Sequence, residues 1–153
     1  MCFCRIIRHK EKLYMIRHIF IFIALAFVFQ SPVDAQTLRD KSNMKIGEVE
    51  TDGTVRNGNN LTIGRFGNDG TIKDMRNMTI GKFDKNGTIR NSYNMIVGKV
   101  QSDGTVRDKS NMYVGKIDSD GTERNGNSII IGYAKGVPKT YAAIFYFFDF
   151  FRR

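Results

Sequence analysis

This 153-residue chain repeats one segment, which reads Gly70-Thr71-Ile72-Lys73-Asp74-Met75-Arg76-Asn77-Met78-Thr79-Ile80-Gly81-Lys82-Phe83. Near-copies of it follow one another at intervals of 17 residues. The five copies start at Gly53, Gly70, Gly87, Gly104 and Gly121. A short repeat of this kind is one supersecondary unit, and neighbouring units bury a continuous core together. The repeats therefore set the architecture of the chain.

Each copy has the pattern of an antiparallel hairpin. Apolar and variable residues alternate in Met78-Thr79-Ile80, which predicts a strand. Asp69-Gly70 suits the positive φ angles of a tight type I′ turn. Asp74 and Asn77 suit a second kind of turn, because their side chains bond to nearby backbone and tolerate left-handed geometry. Each unit is therefore predicted to contain two strands and two distinct turns.

Three apolar columns and one glycine column recur in the strands. The first apolar column is Met44, Leu61, Met78, Met95, Met112 and Ile129. The second is Ile46, Ile63, Ile80, Val97, Val114 and Ile131. The glycines that follow are Gly47, Gly64, Gly81, Gly98, Gly115 and Gly132, and the third apolar column is Val49, Phe66, Phe83, Val100 and Ile117. The third column has the wrong parity for a flat strand, which predicts a β-bulge or a close backbone approach at the glycine. We expect these three columns to form the core.

The hairpins are predicted to close on themselves. A lone two-stranded hairpin cannot bury its apolar face, and its edges must be covered. The sequence predicts an all-β fold in which five hairpins form a closed, propeller-like ring. An extra strand at 44–49 would pair with the last hairpin and seal that ring. A linear β-solenoid is the alternative, and it is less favoured because no unit diverges as a terminal cap would.

The N-terminal 35 residues have the order of a secretory signal peptide. Arg17 and His18 precede an apolar run at 19–29, and Val33-Asp34-Ala35 offers small residues for cleavage. The apolar run is too short to cross a bilayer. Cleavage is expected near Ala35/Gln36, and Met15 is an alternative start. The protein is therefore predicted to be periplasmic or extracellular, with residues 36–134 forming the repeat domain.

The remaining composition argues against an enzyme. Removal of residues 1–35 takes away both Cys and both His, together with five of the 24 basic and two of the 15 acidic residues, and leaves a net charge of +6. Nucleophile–histidine catalysis and zinc binding both lack their residues, and we predict no metal and no cofactor. Export argues against nucleic acid as a partner. A hydrolase using carboxylates such as Glu48 and Glu50 is the least favoured hypothesis.

The C-terminal segment 135–153 is outside the repeat. It carries seven aromatic residues between Tyr141 and Phe151. Such a run left exposed would aggregate, so we expect it to pack on the repeat domain. Aromatic enrichment favours a strand, and Ala142-Ala143 leaves a helix open. Membrane or partner docking through this tail is a less favoured reading.

The recurring Asp-Gly-Thr-Val-Arg-Asp/Asn-x-x-Asn-Met-x-Ile-Gly pattern resembles the secreted bacterial five-fold β-flower proteins. The resemblance covers 39–134 and extends into the tail. It implies β-hairpin petals around an axis and implies no activity. Glu123 departs from the pattern, because the other copies have Val or Ile there.

One column of basic residues is a candidate site. Symmetry would arrange Arg56, Lys73, Arg90, Arg107 and Arg124 in a ring, and converging cations bind carboxylate, phosphate or sulfate groups. Pairing of each cation with a nearby Asp is the competing and favoured interpretation. The leading functional hypothesis is an exported non-enzymatic structural or interaction module. The alternative is a protein that binds an anionic envelope glycan through this ring, and another envelope protein is also open as a partner.

Overall fold

Residues 36–151 form an all-β domain in the computed structural model, which describes this part of the chain. Its twelve antiparallel strands make one closed barrel, and one short helix follows them. The predicted signal segment at 1–35 lies outside the described residues.

The strands are four or five residues long and follow the 17-residue repeat. They are β1 (Gln36–Asp40), β2 (Lys45–Val49), β3 (Thr54–Asn57), β4 (Thr62–Phe66), β5 (Thr71–Asp74), β6 (Thr79–Phe83), β7 (Thr88–Asn91), β8 (Ile96–Val100), β9 (Thr105–Asp108), β10 (Tyr113–Ile117), β11 (Thr122–Asn125) and β12 (Ile130–Tyr133). The helix is α1 (Lys139–Tyr146).

The barrel closes between its first and last strands. Each strand bonds to its neighbours in sequence, and β1 pairs with β12 at Arg39–Tyr133 and Asp40–Gly132. The expected closure is therefore present, although β1 makes it and the strand at 44–49 does not. The linear solenoid is wrong. The hairpins of the closed ring are joined to one another, because all described strands belong to one hydrogen-bonded sheet.

The count of five hairpins is not confirmed, since twelve strands make six hairpins. Each of the five copies begins at an Asp-Gly or Asn-Gly dipeptide, and no such dipeptide directly precedes β1 in the sequence. Eleven turns join the strands of 36–151. One end of the barrel, the glycine-turn end, has five turns with φ between 77° and 89° at Gly53, Gly70, Gly87, Gly104 and Gly121. The other, the asparagine-turn end, has six turns with φ between 61° and 65° at Asn43, Asn60, Asn77, Asn94, Asn111 and Ser128.

Short polar side chains hold both kinds of turn. At the asparagine-turn end, one carboxylate oxygen of Asp74 accepts hydrogen bonds of 2.9 Å from the amides of Arg76 and Met78. At the glycine-turn end, Asp69 accepts from the hydroxyl of Thr71 at 2.7 Å and from its amide at 3.1 Å. These bonds stabilise the ionised form and hold the pKa of Asp69 below its usual value. The left-handed asparagine turn is confirmed. The type I′ turn predicted at Asp69-Gly70 is wrong, because Gly70 has a positive φ but Asp69 does not. The amide of Gly70 donates to the carbonyl oxygen of Gly67, so the glycine is the fourth residue of the turn.

A β-bulge recurs once in each hairpin. In β6, Gly81 pairs with Ile72 and Thr79 pairs with Lys73, so Ile80 is the extra residue. The same shift occurs at the second apolar column in every copy. The β-bulge that the parity of the apolar columns predicts beside the glycine is therefore confirmed. The glycine beside the bulge also lies close to the next strand, because a Cβ on Gly81 would approach the carbonyl oxygen of Arg90 to 2.5 Å.

The barrel is filled from its own wall and from the tail. Four members of the third apolar column are buried, and Phe83 packs against the core that they form. The inward residues of the short strands join them, and these are Leu38, Val55, Ile72, Ile89 and Val106. The first apolar column is not core: Met44, Leu61, Met78, Met95, Met112 and Ile129 are 54–65% exposed. These six lie between the asparagine turns and the strand starts, beyond the filled interior.

The tail aromatics lie against the column glycines one by one. A Cβ on Gly132, Gly115, Gly98, Gly81 or Gly64 would strike the ring of Tyr146, Phe147, Phe148, Phe150 or Phe151, in that order, and one on Gly47 would come within 3.1 Å of Phe145. Successive aromatic residues of the tail therefore contact alternate strands around the barrel. Each glycine leaves space for one aromatic ring.

The tail enters the barrel as a helix. Ala142, Ala143 and Ile144 of α1 are fully buried, and Tyr141 stacks on Phe66 with ring centroids 4.1 Å apart. The strand that aromatic enrichment favours is not formed over Lys139–Tyr146. Every strand edge of a closed barrel is already paired, so an inner segment finds no ladder partner and satisfies its backbone within a helix.

Candidate anion-binding belt on the outer wall

The predicted basic column lies on the outer face of the barrel. Val55 faces the core, so its neighbours Thr54 and Arg56 face outward, and the same alternation recurs in the other copies, although Thr122 of β11 is buried. Arg56, Lys73, Arg90, Arg107 and Arg124 are therefore spread around the wall on alternate strands. They form a ring, as the symmetry argument predicts, but its members point away from the axis and do not converge on one point.

The arginines of this column also support the asparagine turns. Each donates from a guanidinium NH group to the carbonyl oxygen of the left-handed residue in its own turn. The pairs are Arg39–Asn43 at 3.0 Å, Arg56–Asn60 at 3.2 Å, Arg90–Asn94 at 3.2 Å, Arg107–Asn111 at 3.0 Å and Arg124–Ser128 at 3.3 Å. These guanidinium groups are only half-exposed and keep other N–H donors for a ligand.

A second basic column lies directly beside the first. Arg65, Lys82, Lys99 and Lys116 occupy equivalent positions on β4, β6, β8 and β10. The register places them opposite Lys73, Arg90, Arg107 and Arg124. Sequence reasoning missed these four, although their 17-residue spacing could have shown them. The basic belt, as we call it, consists of Arg65, Lys73, Lys82, Arg90, Lys99, Arg107, Lys116 and Arg124.

Few acidic groups neutralise the basic belt. Within 36–151, ion pairs join Arg65 to Asp52 at 3.4 Å and Arg124 to Asp118 at 2.8 Å. The other two ion pairs in this range lie beside the belt, between Lys45 and Glu48 and between Arg56 and Glu50. Six belt residues thus have no ion pair within the described chain. Pairing of each cation with an Asp, the interpretation favoured from the sequence, is not met by an ion pair at these six, although the charges of Lys73 and Lys116 add to the threonine hydrogen bonds in lowering the pKa values of Asp69 and Asp103.

The strand register places like charges of the basic belt next to one another, which lowers the stability of the folded state. Adjacent strands lie about 4.8 Å apart, so four pairs of like charge stand directly across from one another on β4 to β11. Like charges in this position destabilise a sheet. Arg56 differs, because its cross-strand neighbour is Glu48. A bound polyanion would remove this repulsion along eight consecutive strands.

Glu123 is the one ionisable side chain among the fully buried residues of the described interior. It occupies the position that Val or Ile fills in neighbouring copies. Neither carboxyl oxygen has a hydrogen-bond partner within the described chain. Burial, with a smaller contribution from the charge of Asp118, raises the pKa of Glu123 to about 8. The group is retained in its neutral form, since an isolated charge would be much more costly there.

The carboxylates of the hydrolase hypothesis are engaged on the outer wall. Glu48 accepts a 2.7 Å bond from Lys45, and Glu50 accepts a 2.5 Å bond from Arg56. Each therefore has its own cation. Over 36–151 no cluster of His, Cys, Asp or Glu has the composition of a metal site. The same range contains no helix long and apolar enough to cross a bilayer.

The fold and the belt together define a class: an all-β barrel built of hairpin repeats, with an inner aromatic tail and a basic outer wall. The chain belongs to the 5-fold beta-flower protein family, whose model matches residues 35–151. That match includes the tail as well as the repeats. Comparison with curated proteins and with solved structures found no match.

Proposed function

We propose that the protein is an exported, non-enzymatic interaction module that binds an anionic glycan or similar polyanion of the cell envelope on its outer wall. The observation that carries this proposal is the basic belt. Six of its eight cations have no ion-pair partner within 36–151, and they stand next to one another around the wall. An extended polyanion can follow such a surface from strand to strand.

The wall suits a chain of charges better than a single small anion. The belt side chains radiate outward, so a compact ligand meets only two or three of them. The arginine groups are held by turn carbonyls, and ordering them for a ligand therefore costs less side-chain entropy. Lys82 and Lys99 are exposed and add further positive charge. This arrangement favours carboxylate, phosphate or sulfate groups repeated along a polymer.

The test measures binding of a sulfated glycan and of peptidoglycan fragments to the protein produced from the full chain. Binding should weaken steeply as salt rises, because the contacts are solvent-exposed charges. Lys82→Gln, Lys99→Gln and Lys116→Gln combined should lower the affinity at least about tenfold, equal to about 1.4 kcal/mol. The matched control combines Lys41→Gln, Lys85→Gln and Lys135→Gln, which remove the same charge elsewhere. An equal loss in both variants would contradict a belt site and indicate attraction by net charge alone.

Export is a separate part of the proposal. It is supported by the basic, apolar and small-residue order of 1–35 in the sequence. N-terminal sequencing of the mature protein should begin at or near Gln36. Recovery of an intact N-terminus in a membrane fraction would count against a cleaved signal peptide.

A further inference from the structure

The asparagine-turn end has a ring of exposed apolar side chains. We define the apolar rim as Met44, Leu61, Met78, Met95, Met112 and Ile129, one from each of the six turns. Met75 and Tyr93, in two neighbouring turns, are 70% and 81% exposed. Large apolar side chains gathered at one end of a domain mark an interaction surface. The glycine-turn end carries none of the large exposed apolar residues of 36–151.

We propose that the apolar rim docks on the surface of a lipid bilayer that contains anionic headgroups. The apolar rim is distinct from the basic belt on the side wall, although the belt arginines Arg90, Arg107 and Arg124 reach the turns at this end. The first support for the proposal is shape. Six turns at one end of a barrel form a ring, so their side chains can touch one plane together. A planar, fluid surface can meet all of them, whereas a single peptide strand or small ligand meets only part of the ring.

The second support is charge. Lys41, Arg76 and Lys109 project from three of the turns and are exposed. The three aspartates of these turns, Asp40, Asp74 and Asp108, use one carboxylate oxygen each to bond the turn amides. Among the turn-bonded arginines, Arg39, Arg90 and Arg107 have no ion pair within the described chain and add further positive charge at this end. Cations beside apolar side chains favour an anionic membrane interface.

The same charge argues against a second copy as the occupant. Rim-to-rim pairing would bring the arginines and lysines of two copies together, and like charges across an interface oppose association. An anionic bilayer has the opposite sign. The apolar side chains would enter the headgroup region while the cations remain among the phosphates.

A cleft of about 630 Å³ lies at the same end, between the turns and the end of the tail. Its lining includes Phe148 and Phe150, the cation Arg76 and the carboxylates of Asp74 and Asp149. The cleft offers apolar surface to an acyl chain, whereas its charges are mixed and do not by themselves favour an anionic headgroup.

The test is sedimentation with vesicles, using the protein produced from the full chain. Vesicles contain equal parts of phosphatidylglycerol and phosphatidylcholine, and pure phosphatidylcholine is the comparison. Met78→Gln, Met95→Gln and Met112→Gln combined remove apolar surface with little change in volume. Met78→Leu, Met95→Leu and Met112→Leu are the matched control, since Leu61 already occupies this column. All variants share the same N-terminal segment, so its contribution cancels.

We expect the unmodified protein and the leucine variant to bind the anionic vesicles, and the glutamine variant to bind at least about tenfold more weakly. Equal binding of the glutamine and leucine variants would overturn the proposal, as would failure of the unmodified protein to bind. Self-association without lipid that the glutamine variant abolishes would overturn it in favour of a second copy. If the glutamine variant does not fold, Met75→Gln with Tyr93→Gln is judged by the same criteria.

Discussion

The hydroxyl of Tyr146 donates a 2.7 Å hydrogen bond to the carbonyl oxygen of Arg39, and it accepts a 3.1 Å bond from the amide of the same residue. It also lies 3.0 Å from the carbonyl oxygen of Tyr133. Arg39 and Tyr133 are cross-strand partners where β1 meets β12. A side chain from the inner tail thus bonds both strands at the one closure that is not made by a turn.

Tyr146→Phe should therefore weaken the closure of the barrel. It keeps the ring against Gly132 and removes the hydroxyl, so the backbone groups of Arg39 lose their partner. We expect a loss of about 1–3 kcal/mol in the free energy of unfolding, measured by denaturant titration. The amide of Arg39 should also exchange hydrogen faster. Tyr141→Phe is the control, since it retains the ring that stacks on Phe66. Equal unfolding midpoints for the two variants would contradict this role.

Glu123 should make the stability of the protein depend on pH. Its folded pKa of about 8 lies above the ordinary value of 4.5 for a glutamate, so folding takes up a proton. The stability linked to this group is complete below pH 4.5, declines as pH rises, and is lost above about pH 8. The full change is of the order of a few kcal/mol.

Glu123→Val, the residue type found in neighbouring copies, should remove this dependence. The variant should unfold at a higher temperature than the wild type at pH 7, and the difference should grow toward pH 9. Thermal melts at pH 5, 7 and 9 measure it. Glu48→Gln is the control, because Glu48 lies on the outer wall. A parallel pH dependence in wild type and Glu123→Val would show that the carboxyl group is not held in an apolar site.

The glycine column should tolerate no larger residue. Gly81→Ala places a methyl group against the carbonyl oxygen of Arg90 and the ring of Phe150. Overpacking of this kind costs about 1–3 kcal/mol, measured as a lower denaturation midpoint. Thr79→Val, at an exposed position of the same strand, should change the midpoint little. In a double variant with Phe150→Ala, the loss should be smaller than the sum of the two single losses, since the ring no longer meets the methyl group.

The tail should be required for folding. Truncation after Lys139 removes most of α1 and all six rings that lie on the glycine column. Burial of an aromatic side chain contributes about 1.5–3 kcal/mol, so several of them rival the whole stability of a small domain. The truncated chain should therefore lack a cooperative thermal transition and should aggregate in sedimentation. A cooperative transition at a temperature near that of the full chain would show that the barrel folds without its tail.

Much of the local structure follows from short-range preferences that recur every 17 residues. Asp69-Gly70 predicts the tight turn, Asn77 predicts the left-handed turn residue, and the parity of the apolar columns predicts the bulge beside Gly81. Each of these predictions rests on the backbone preference of one or two residues, and the repetition of those residues every 17 positions makes the pattern clear. The basic column likewise follows from strand alternation, because outward and inward residues alternate along each strand.

Pairing between distant residues is what only the tertiary structure decided. Whether the sheet closes with five hairpins or six depends on β1 meeting β12, and Arg39 and Tyr133 carry no local signal for each other. Because the sheet is closed, its strands have no free edge, so the tail cannot pair as a further strand and forms a helix. The aromatic rings of the tail then lie against the glycines of the barrel wall. The exposed apolar rim also depends on the tertiary structure. Met78 has the periodicity of a core residue, but it lies at the end of the barrel, beyond the part of the interior that other side chains fill. Local sequence encodes which residues form strands and turns, whereas burial depends on how far the assembled layers extend.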